Sequence, residues 1–305
     1  MTEIERLAML ERPTGRVDVV LDTDTYNEID DQFALAYLLS APEKLNTVAI
    51  YAAPFFNSKS TGPEDGMLRS YDEILKVTQL MNWNHPEMVY KGSTCYLPDE
   101  VTPVHSPAAE DLARRAMNYS KEHPLYVAAL GAITNVASAL LINPEIRERI
   151  VLVWLGGHAL EWPKNDEFNL RQDVAGARVV LGCGVPMVLL PCMGVVSHFS
   201  TTEYELRHWL MDKNPLCTYL AQNTIDEANS YAAGKPWSRV IWDVTVIGWL
   251  LDPEAKRVKD KLIPSPIPEY DNHWALSPTR HLIKYVYSIN RDALWEHVFT
   301  HLTRG

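Results

Sequence analysis

The sequence contains no long uncharged hydrophobic run. Its longest apolar stretch, from Val185 to Val196, includes two prolines and is shorter than the roughly 20 residues that a membrane-spanning helix needs. The first 16 residues carry six charged side chains and lack the long apolar core of a secretory signal. We therefore expect a cytoplasmic protein with no membrane partner.

Cysteine is scarce, and the four that are present follow no metal-binding pattern. None belongs to a C-x-x-C pair, and none has a neighbouring histidine that would suggest zinc. The same spacing gives no sign of a disulfide framework. We expect reduced thiols, mostly in the core, at Cys95, Cys183, Cys192 and Cys217.

Positive charge is also in deficit. The 305 residues include 28 lysines and arginines against 39 aspartates and glutamates, which gives a net charge of -11 and a pI of about 5.4. Such a chain has no basic footprint for nucleic acid or an acidic membrane. With 47% hydrophobic residues it is an ordinary globular sequence, and we expect a small-molecule partner.

Continuous apolar runs alternate with helical patterns through the first two thirds of the chain. Apolar runs without polar alternation are typical of parallel strands that helices cover on both faces. The order predicts an α/β fold with an open, mostly parallel sheet flanked by helices. The predicted strands are Val17–Leu21, Thr47–Ala53, Leu125–Leu130, Ile150–Leu155 and Pro186–Leu190, and the predicted helices are Met67–Met81, Pro107–Lys121, Asn135–Ile142 and Val174–Leu181.

We find no internal repeat and no linker rich in proline, glycine and serine, so we expect a single domain over residues 1–305. Residues 1–16 form an N-terminal extension of this domain. The segment Thr201–Val246 is predicted to be mostly helical. Residues 263–305 comprise a proline-rich segment and a terminal helical region that begins at about Thr279 and ends at Leu302.

Four aspartates stand between the first predicted strand and the helix that follows it. They are Asp22, Asp24, Asp30 and Asp31. One aspartate before a helix is an ordinary N-cap, and a second in the first turn is favoured by the helix dipole. Four carboxylates at the end of a buried strand would repel one another unless a cation lay among them. The stretch therefore predicts a site for a hard divalent metal ion.

Polar residues follow three further apolar runs. The stretch Ala128–Asn135, at the end of the third strand, could offer a backbone carbonyl to the metal, although taken alone it is better interpreted as a strand-to-helix turn capped by Thr134 or Asn135. The stretch Asp166–Asn169, with Asp173 after it, follows the fourth strand and supplies a carboxylate and an amide that could hydrogen-bond a polyol. Asp243 lies alone in an apolar run, where a buried carboxylate must be paired or must bind a metal.

These elements, in this order, resemble the inosine-uridine preferring nucleoside hydrolases, which are calcium-dependent enzymes that cleave the N-glycosidic bond of ribonucleosides. The family's D-x-D-x-x-x-D-D motif corresponds to Asp22 to Asp31, and its G-x-L-T-N motif to Gly131 to Asn135. Its G-G, E-F-N and H-D elements correspond to Gly156–Gly157, Glu167–Asn169 and Trp242–Asp243. The match covers roughly residues 17 to 250.

The resemblance implies a Rossmann-like nucleoside hydrolase fold and a role for each matched residue. Calcium would be held by Asp24, Asp31, Asp243 and the Leu130 carbonyl. Asp24 would activate a metal-bound water, and the transition state would resemble an oxocarbenium ion. The ribose hydroxyls would be bound by Asp30, Glu167 and Asn169. The family also suggests a homodimer or homotetramer and a nucleoside or another N-riboside as substrate.

The chain departs from the family motifs at three places. The first loop is two residues longer, which brings Glu28 towards the expected pocket. Asn57 could replace a ribose-binding asparagine that is missing after the second strand. Trp242 stands where many members have a histidine that helps the base leave, and indole cannot donate that proton.

Other side chains could take over the tasks at these positions. His105, Tyr231 and His158 are the candidates for a substitute acid or a substrate contact. Trp237 and Trp274 could stack on a base, although each of these aromatic residues could equally be a packed or surface side chain.

Two alternatives from other classes remain. A haloacid-dehalogenase-type phosphatase would use Asp22 as nucleophile, although Tyr26 stands where its motif has Thr or Val. A non-catalytic descendant would bind a nucleoside or ribose without releasing the base.

Overall fold

The computed structural model describes residues 1–304, in which strands and helices alternate as predicted. The strands are β1 (Val17–Thr23), β2 (Leu45–Ala52), β3 (Val89–Lys91), β4 (Leu125–Ala129), β5 (Ile150–Leu155), β6 (Met187–Leu190), β7 (Ser200–Thr201), β8 (Arg239–Val240), β9 (Val258–Pro264), β10 (Ile267–Pro268), β11 (Trp274–Ala275) and β12 (Leu282–Ile289). The helices are α1 (Glu3–Met9), α2 (Asp30–Leu39), α3 (Pro63–Leu80), α4 (Pro107–Arg115), α5 (Thr134–Ile142), α6 (Phe168–Gln172), α7 (Val174–Gly182), α8 (Glu203–Trp209), α9 (Pro215–Ala232), α10 (Val244–Leu250) and α11 (Arg291–Leu302).

Eight of the strands form one sheet in the order β3-β2-β1-β4-β5-β6-β12-β9. All neighbouring pairs are parallel except β12 with β9, which is antiparallel. The first strand of the chain is therefore internal, with β2 on one side and β4 on the other. The prediction of an open, mostly parallel sheet flanked by helices is confirmed.

Alternate side chains of each strand pack into two separate cores. Along β1, Val19 and Leu21 join the core under α2, α10 and α11, whereas Val20 joins the core under α4, α5 and α7. All three side chains are fully buried. Because helices cover both faces, the strands read as continuous apolar runs in the sequence.

The N-terminal extension is not a free tail. Residues 3–9 form α1, which Thr2 and Glu5 cap reciprocally. The guanidinium of Arg12 donates to the carbonyls of Asp252 at 2.8 Å and Val258 at 2.5 Å. The extension is thus attached to the loop before β9 and to β9 itself.

The five predicted strands and four predicted helices are present, most with small shifts at their ends. The helix predicted over Pro107–Lys121 is shorter, because α4 ends at Arg115 and only a 3-10 turn follows it. The stretch from Thr201 to Val246 contains α8, α9 and the start of α10, as expected, together with the short pair β7 and β8. The prediction of helix from Thr279 onwards is wrong over residues 282–289. That segment is β12, and the terminal helix begins only at Arg291.

Within residues 1–304 no helix is long and apolar enough to cross a membrane. The four cysteines are free thiols, as predicted, but Cys95 is exposed and Cys183 is partly exposed, so only Cys192 and Cys217 are core residues.

Candidate metal and substrate site

A cavity of about 240 Å³ opens where the parallel strands end. Its walls come from the segments after β1, β4, β5 and β6 and from the start of α10. This is the edge at which open parallel sheets bind ligands. The lining residues are Asp24, Asn27, Glu28, Asp30, Asp31, Leu130, Leu155, His158, Glu167, Phe168, Asn169, Cys192, Met193, Trp242 and Asp243.

Three carboxylates meet at one side of this cavity. Oxygen atoms of Asp30, Asp31 and Asp243 all lie within 4.8 Å of one another, and all three residues are buried. Helix α2 begins with Asp30 and Asp31, and Asp243 directly precedes α10, so the starts of two packed helices bring the three together.

Asp24 lies beside this cluster, at the end of β1. A Cβ on Gly131 would come within 3.0 Å of the Asp24 carboxyl carbon, so glycine allows the turn after β4 to approach this carboxylate. The Asp24 Oδ2 atom and the Asp243 Oδ1 atom are buried without a hydrogen-bond partner in the described chain.

The cluster has the electrostatics of a cation site. Burial, together with repulsion between neighbouring carboxylates, raises the pKa of Asp30 to about 7 and that of Asp31 to about 6. The same causes raise the pKa values of Asp24 and Asp243. Arg239 is close enough to favour the charged form of Asp30, but its guanidinium is paired with Glu28 and Glu227. Unpartnered buried oxygens and uncompensated negative charge fit a hard divalent cation.

Asp22 does not line the cavity, although the sequence suggested four clustered carboxylates and its Oδ2 atom is also buried without a partner. Its Oδ1 accepts a hydrogen bond of 2.7 Å from the Asn135 side chain, and Asn135 Oδ1 accepts from Ser93. Asn135 therefore ties β1 to the loop after β3 and does not cap α5. Thr134 is no cap either, because its hydroxyl donates to Asp173.

Glu167 and Asn169 lie in the cavity wall after β5. The Glu167 carboxylate accepts hydrogen bonds from the backbone N–H groups of Gly157, Asn169 and Leu170, at 2.8 to 2.9 Å. The Asn169 amide donates to the carbonyl oxygen of Leu130 at 2.5 Å and to that of Leu155 at 3.1 Å. The carbonyl predicted to be a metal ligand therefore faces the cavity and already accepts one hydrogen bond, which leaves its second lone pair.

Three residues predicted to contact substrate lie outside the cavity lining. His105 has 68% of its side chain exposed and faces Glu110, and Tyr231 is 60% exposed near the end of α9. Asn57 contacts the cavity only through Asn27, to which its amide donates at 2.6 Å. These placements correct the sequence prediction, since exposed side chains on a loop and a helix end have nothing to hold them over the site.

The aromatic candidates divide in a similar way. Trp242 lines the cavity, whereas Trp237 packs against the core and Trp274 donates its indole N–H to the His158 carbonyl behind the wall. Gly157 has φ of 73°, and a Cβ there would come within 2.5 Å of the Trp274 ring. The glycine is thus required for the loop that carries His158.

His158 lines the cavity as a neutral ring. Its Nδ1 accepts a hydrogen bond of 3.3 Å from the backbone N–H of Met193, which places the ring proton on Nε2. Burial lowers the pKa of His158, against the opposing effect of Asp166.

Sequence reasoning missed Asn27 and Arg239, and it named Glu28 only as a residue near the pocket. Asn27 and Glu28 line the cavity, and Arg239 pairs with Glu28 from outside it. The extra length of the loop after Asp24 was the available signal for the first two. Arg239 gave none, because its partner is 211 positions away in the chain.

Buried carboxylates and side-chain amides lie together at the carboxyl ends of the strands of a mostly parallel α/β sheet. This arrangement is typical of the class of proteins that bind a metal ion and a small ligand. Within that class the chain belongs to the inosine-uridine preferring nucleoside hydrolase family, whose model matches residues 19–295. The family is metal-dependent, in agreement with the acidic cluster.

The similar proteins of known sequence include two that bear the same name. The pyrimidine-specific ribonucleoside hydrolase RihA of Klebsiella pneumoniae is 27% identical over 164 residues, which cover 52% of each chain. The RihA protein of Salmonella paratyphi A gives the same figures. The chain thus spans about half the length of the curated relatives it matches.

Solved structures resemble nearly the whole fold. An inosine-guanosine nucleoside hydrolase has a TM-score of 0.74 at 15% identity, covering 95% of this chain and 99% of its own. A purine-preferring ribonucleoside hydrolase from Gardnerella vaginalis has a TM-score of 0.71 at 19% identity, covering 94% and 98%.

Proposed function

We propose that this chain hydrolyses the N-glycosidic bond of ribonucleosides or related N-ribosides, with calcium as its cofactor. The observation that carries the proposal is the convergence of Asp24, Asp30, Asp31 and Asp243 in one cavity with Glu167 and Asn169. The family membership supports the class of reaction.

Asp24, Asp31, Asp243 and the Leu130 carbonyl are the proposed ligands of the ion, and Asp30 lies close enough to share in its charge. A bound Ca²⁺ would supply positive charge and oxygen coordination sites for water and the sugar hydroxyls. Asp24 would accept a proton from the attacking water through its unpartnered Oδ2 atom. Asp30, Glu167 and Asn169 would hold the ribose hydroxyls.

The base would leave without an imidazolium donor in this cavity. The Trp242 indole N–H is not an acid near neutral pH, and His158 is neutral with its Nδ1 already accepting a hydrogen bond. We infer that the departing base takes its proton from water, so substrates with a stable departing base are favoured.

The test is base release from a panel of ribonucleosides and nicotinamide riboside, with EDTA and with added Ca²⁺. We expect turnover only with the ion, and a loss of about 10²- to 10⁴-fold in kcat for Asp24→Asn, the range for removal of a general base. Asp18→Asn is the matched control, because Asp18 lies in the same strand at its other end and should keep full activity.

Turnover that persists in EDTA or in Asp24→Asn would contradict the proposed mechanism. A protein that binds ribose and Ca²⁺ but releases no base from any nucleoside would favour the non-catalytic alternative. A phosphatase that uses Asp22 is disfavoured, since Asp22 does not line the cavity and its Oδ1 accepts a hydrogen bond from Asn135.

A homodimer or homotetramer and a cytoplasmic location stay predictions from the sequence. Light scattering on the purified chain tests the first, and localisation of a tagged chain tests the second.

A further inference from the structure

The loop between β1 and α2 brings two polar side chains to the mouth of the cavity. Its backbone turns at Asn27, whose N–H donates to the Asp24 carbonyl at 2.7 Å. Asn27 is only 7% exposed, whereas the Glu28 side chain is 41% exposed. Both line the cavity, so Asn27 lies deeper and Glu28 lies nearer to solvent.

The orientation of the Asn27 amide is fixed by a chain of hydrogen bonds that starts at a backbone donor. The N–H of Lys59 donates to Asn57 Oδ1 at 2.8 Å, which identifies that atom as the oxygen. The Asn57 nitrogen therefore faces Asn27, and Asn27 accepts with its own Oδ1 at 2.6 Å. The Asn27 NH₂ group is left without a protein partner among residues 1–304, so it is a donor available to a ligand.

Glu28 presents the complementary group. Its Oε2 atom is paired with Arg239, which also donates to Glu227 at 3.1 Å. Its Oε1 atom has no hydrogen-bond partner in the described part of the chain. Arg239 therefore holds the Glu28 carboxylate at the rim, with one oxygen available as an acceptor.

The direction in which a base would lie follows from the proposed function, on which this inference rests. Water deprotonated by Asp24 must attack C1′ on the face opposite the base. Because Asp24 is almost fully buried at the end of β1, the base must project away from it, towards the mouth. A base in that position would lie beside the loop that carries Asn27 and Glu28, with Asn27 deeper and Glu28 nearer to solvent.

We propose that Asn27 and Glu28 select uracil-type bases, with Asn27 donating to the 2-oxo group and Glu28 accepting from the N3–H. In uracil the 2-oxo acceptor is adjacent to the glycosidic nitrogen and the N3–H donor follows it, in the same order as the two protein groups. Cytosine has the same 2-oxo group but a bare N3, whose lone pair would face the Glu28 carboxylate. The longer loop of this chain thus carries the two residues that discriminate uridine from cytidine.

The test compares kcat/KM for uridine and cytidine at saturating Ca²⁺. We expect wild type to prefer uridine and Glu28→Gln to lower the uridine-to-cytidine ratio by about tenfold, because Gln can donate to the bare N3 of cytosine. Glu227→Gln is the matched control, since it removes the other carboxylate partner of Arg239 outside the cavity and should keep the wild-type ratio. Asn27→Asp, which still accepts from Asn57, should lower kcat/KM for both nucleosides alike.

A ratio that Glu28→Gln leaves unchanged, or that Glu227→Gln lowers equally, would overturn the assignment. Hydrolysis of 4-nitrophenyl β-D-ribofuranoside by wild type distinguishes failure of base selection from failure of the proposed hydrolase function. Wild type that cleaves this aryl O-riboside and releases base from nucleosides without preferring uridine retains the proposed function and loses the inference. Wild type that cleaves neither the aryl riboside nor any nucleoside loses both.

Discussion

Asp24 and Glu167 are both buried carboxylates of the cavity, but their surroundings give them different tasks. Asp24 keeps one oxygen without a partner, whereas Glu167 accepts three backbone N–H groups and caps α6. Glu167 therefore holds the loop after β5 in addition to any contact with substrate. Its two roles should be separable by measuring stability as well as activity.

We expect Glu167→Gln to lower the free energy of unfolding by about 1–3 kcal/mol as well as reducing activity. A glutamine offers only one acceptor oxygen, so at least one of the three backbone donors is left buried and unpaired. Urea denaturation monitored by circular dichroism measures the loss. Glu161→Gln, an exposed change in the same loop, should cost nothing measurable. Equal stability of the two variants would show that the cap contributes little.

Because strand ends and helix starts share one edge of a parallel sheet, the sequence was sufficient to predict that Asp24, Asp30 and Asp31 meet, but it wrongly included Asp22. Asp243 was joined to this group through the family resemblance. The sequence was not sufficient for Asn27, whose placement depends on its hydrogen bond with Asn57 in another loop. His105 and Tyr231 were chosen for their chemistry alone. Chemistry without a packing constraint does not locate a side chain.

At the level of elements, β12 shows how local pattern and tertiary position can disagree. The stretch Leu282–Ile289 lies among prolines and a true helix, and the sequence interpretation extended the helix across it. Its β-branched and aromatic residues pack instead between β6 and β9, with Ile283 in one core and Val286 in the other. Pairing with β6, almost 100 residues earlier, cannot be read from a local window.

Ile283→Ala should therefore lower the free energy of unfolding by about 2–5 kcal/mol, as truncation in a packed core does. Ile283 is fully buried in β12. Leu276→Ala is the control, because Leu276 is 67% exposed and its loss should stay within about 0.5 kcal/mol. Urea unfolding curves with a common slope give the comparison. Similar costs for the two changes would argue against a buried β12.

For the whole molecule, the acidic cluster links stability to pH and metal. Without a cation the pKa of Asp30 is raised to about 7 and that of Asp31 to about 6, from an ordinary value of 3.8. The folded chain then binds more protons than the unfolded one, so these groups lose their stabilising effect as pH rises through that window. The net charge of -11 adds general repulsion at high pH.

We expect Ca²⁺ to raise Tm more at pH 8 than at pH 5, because the ion must compete with protons at the lower pH. Thermal unfolding in Ca²⁺ and in EDTA at both pH values measures the difference. Sodium chloride at matched ionic strength controls for screening of the net charge. A calcium-induced shift that is the same at both pH values would contradict the linkage.

The strand order also constrains how the chain is completed during synthesis. Asp24, Asp30 and Asp31 leave the ribosome long before Asp243, so a growing chain cannot assemble the site until α10 has emerged. β9 emerges before β12 but reaches the sheet only through it, and β6 is without its outer neighbour until residues 282–289 arrive. A chain that ends before Leu282 would contain every residue that lines the cavity, but the outer edge of β6 would be unpaired.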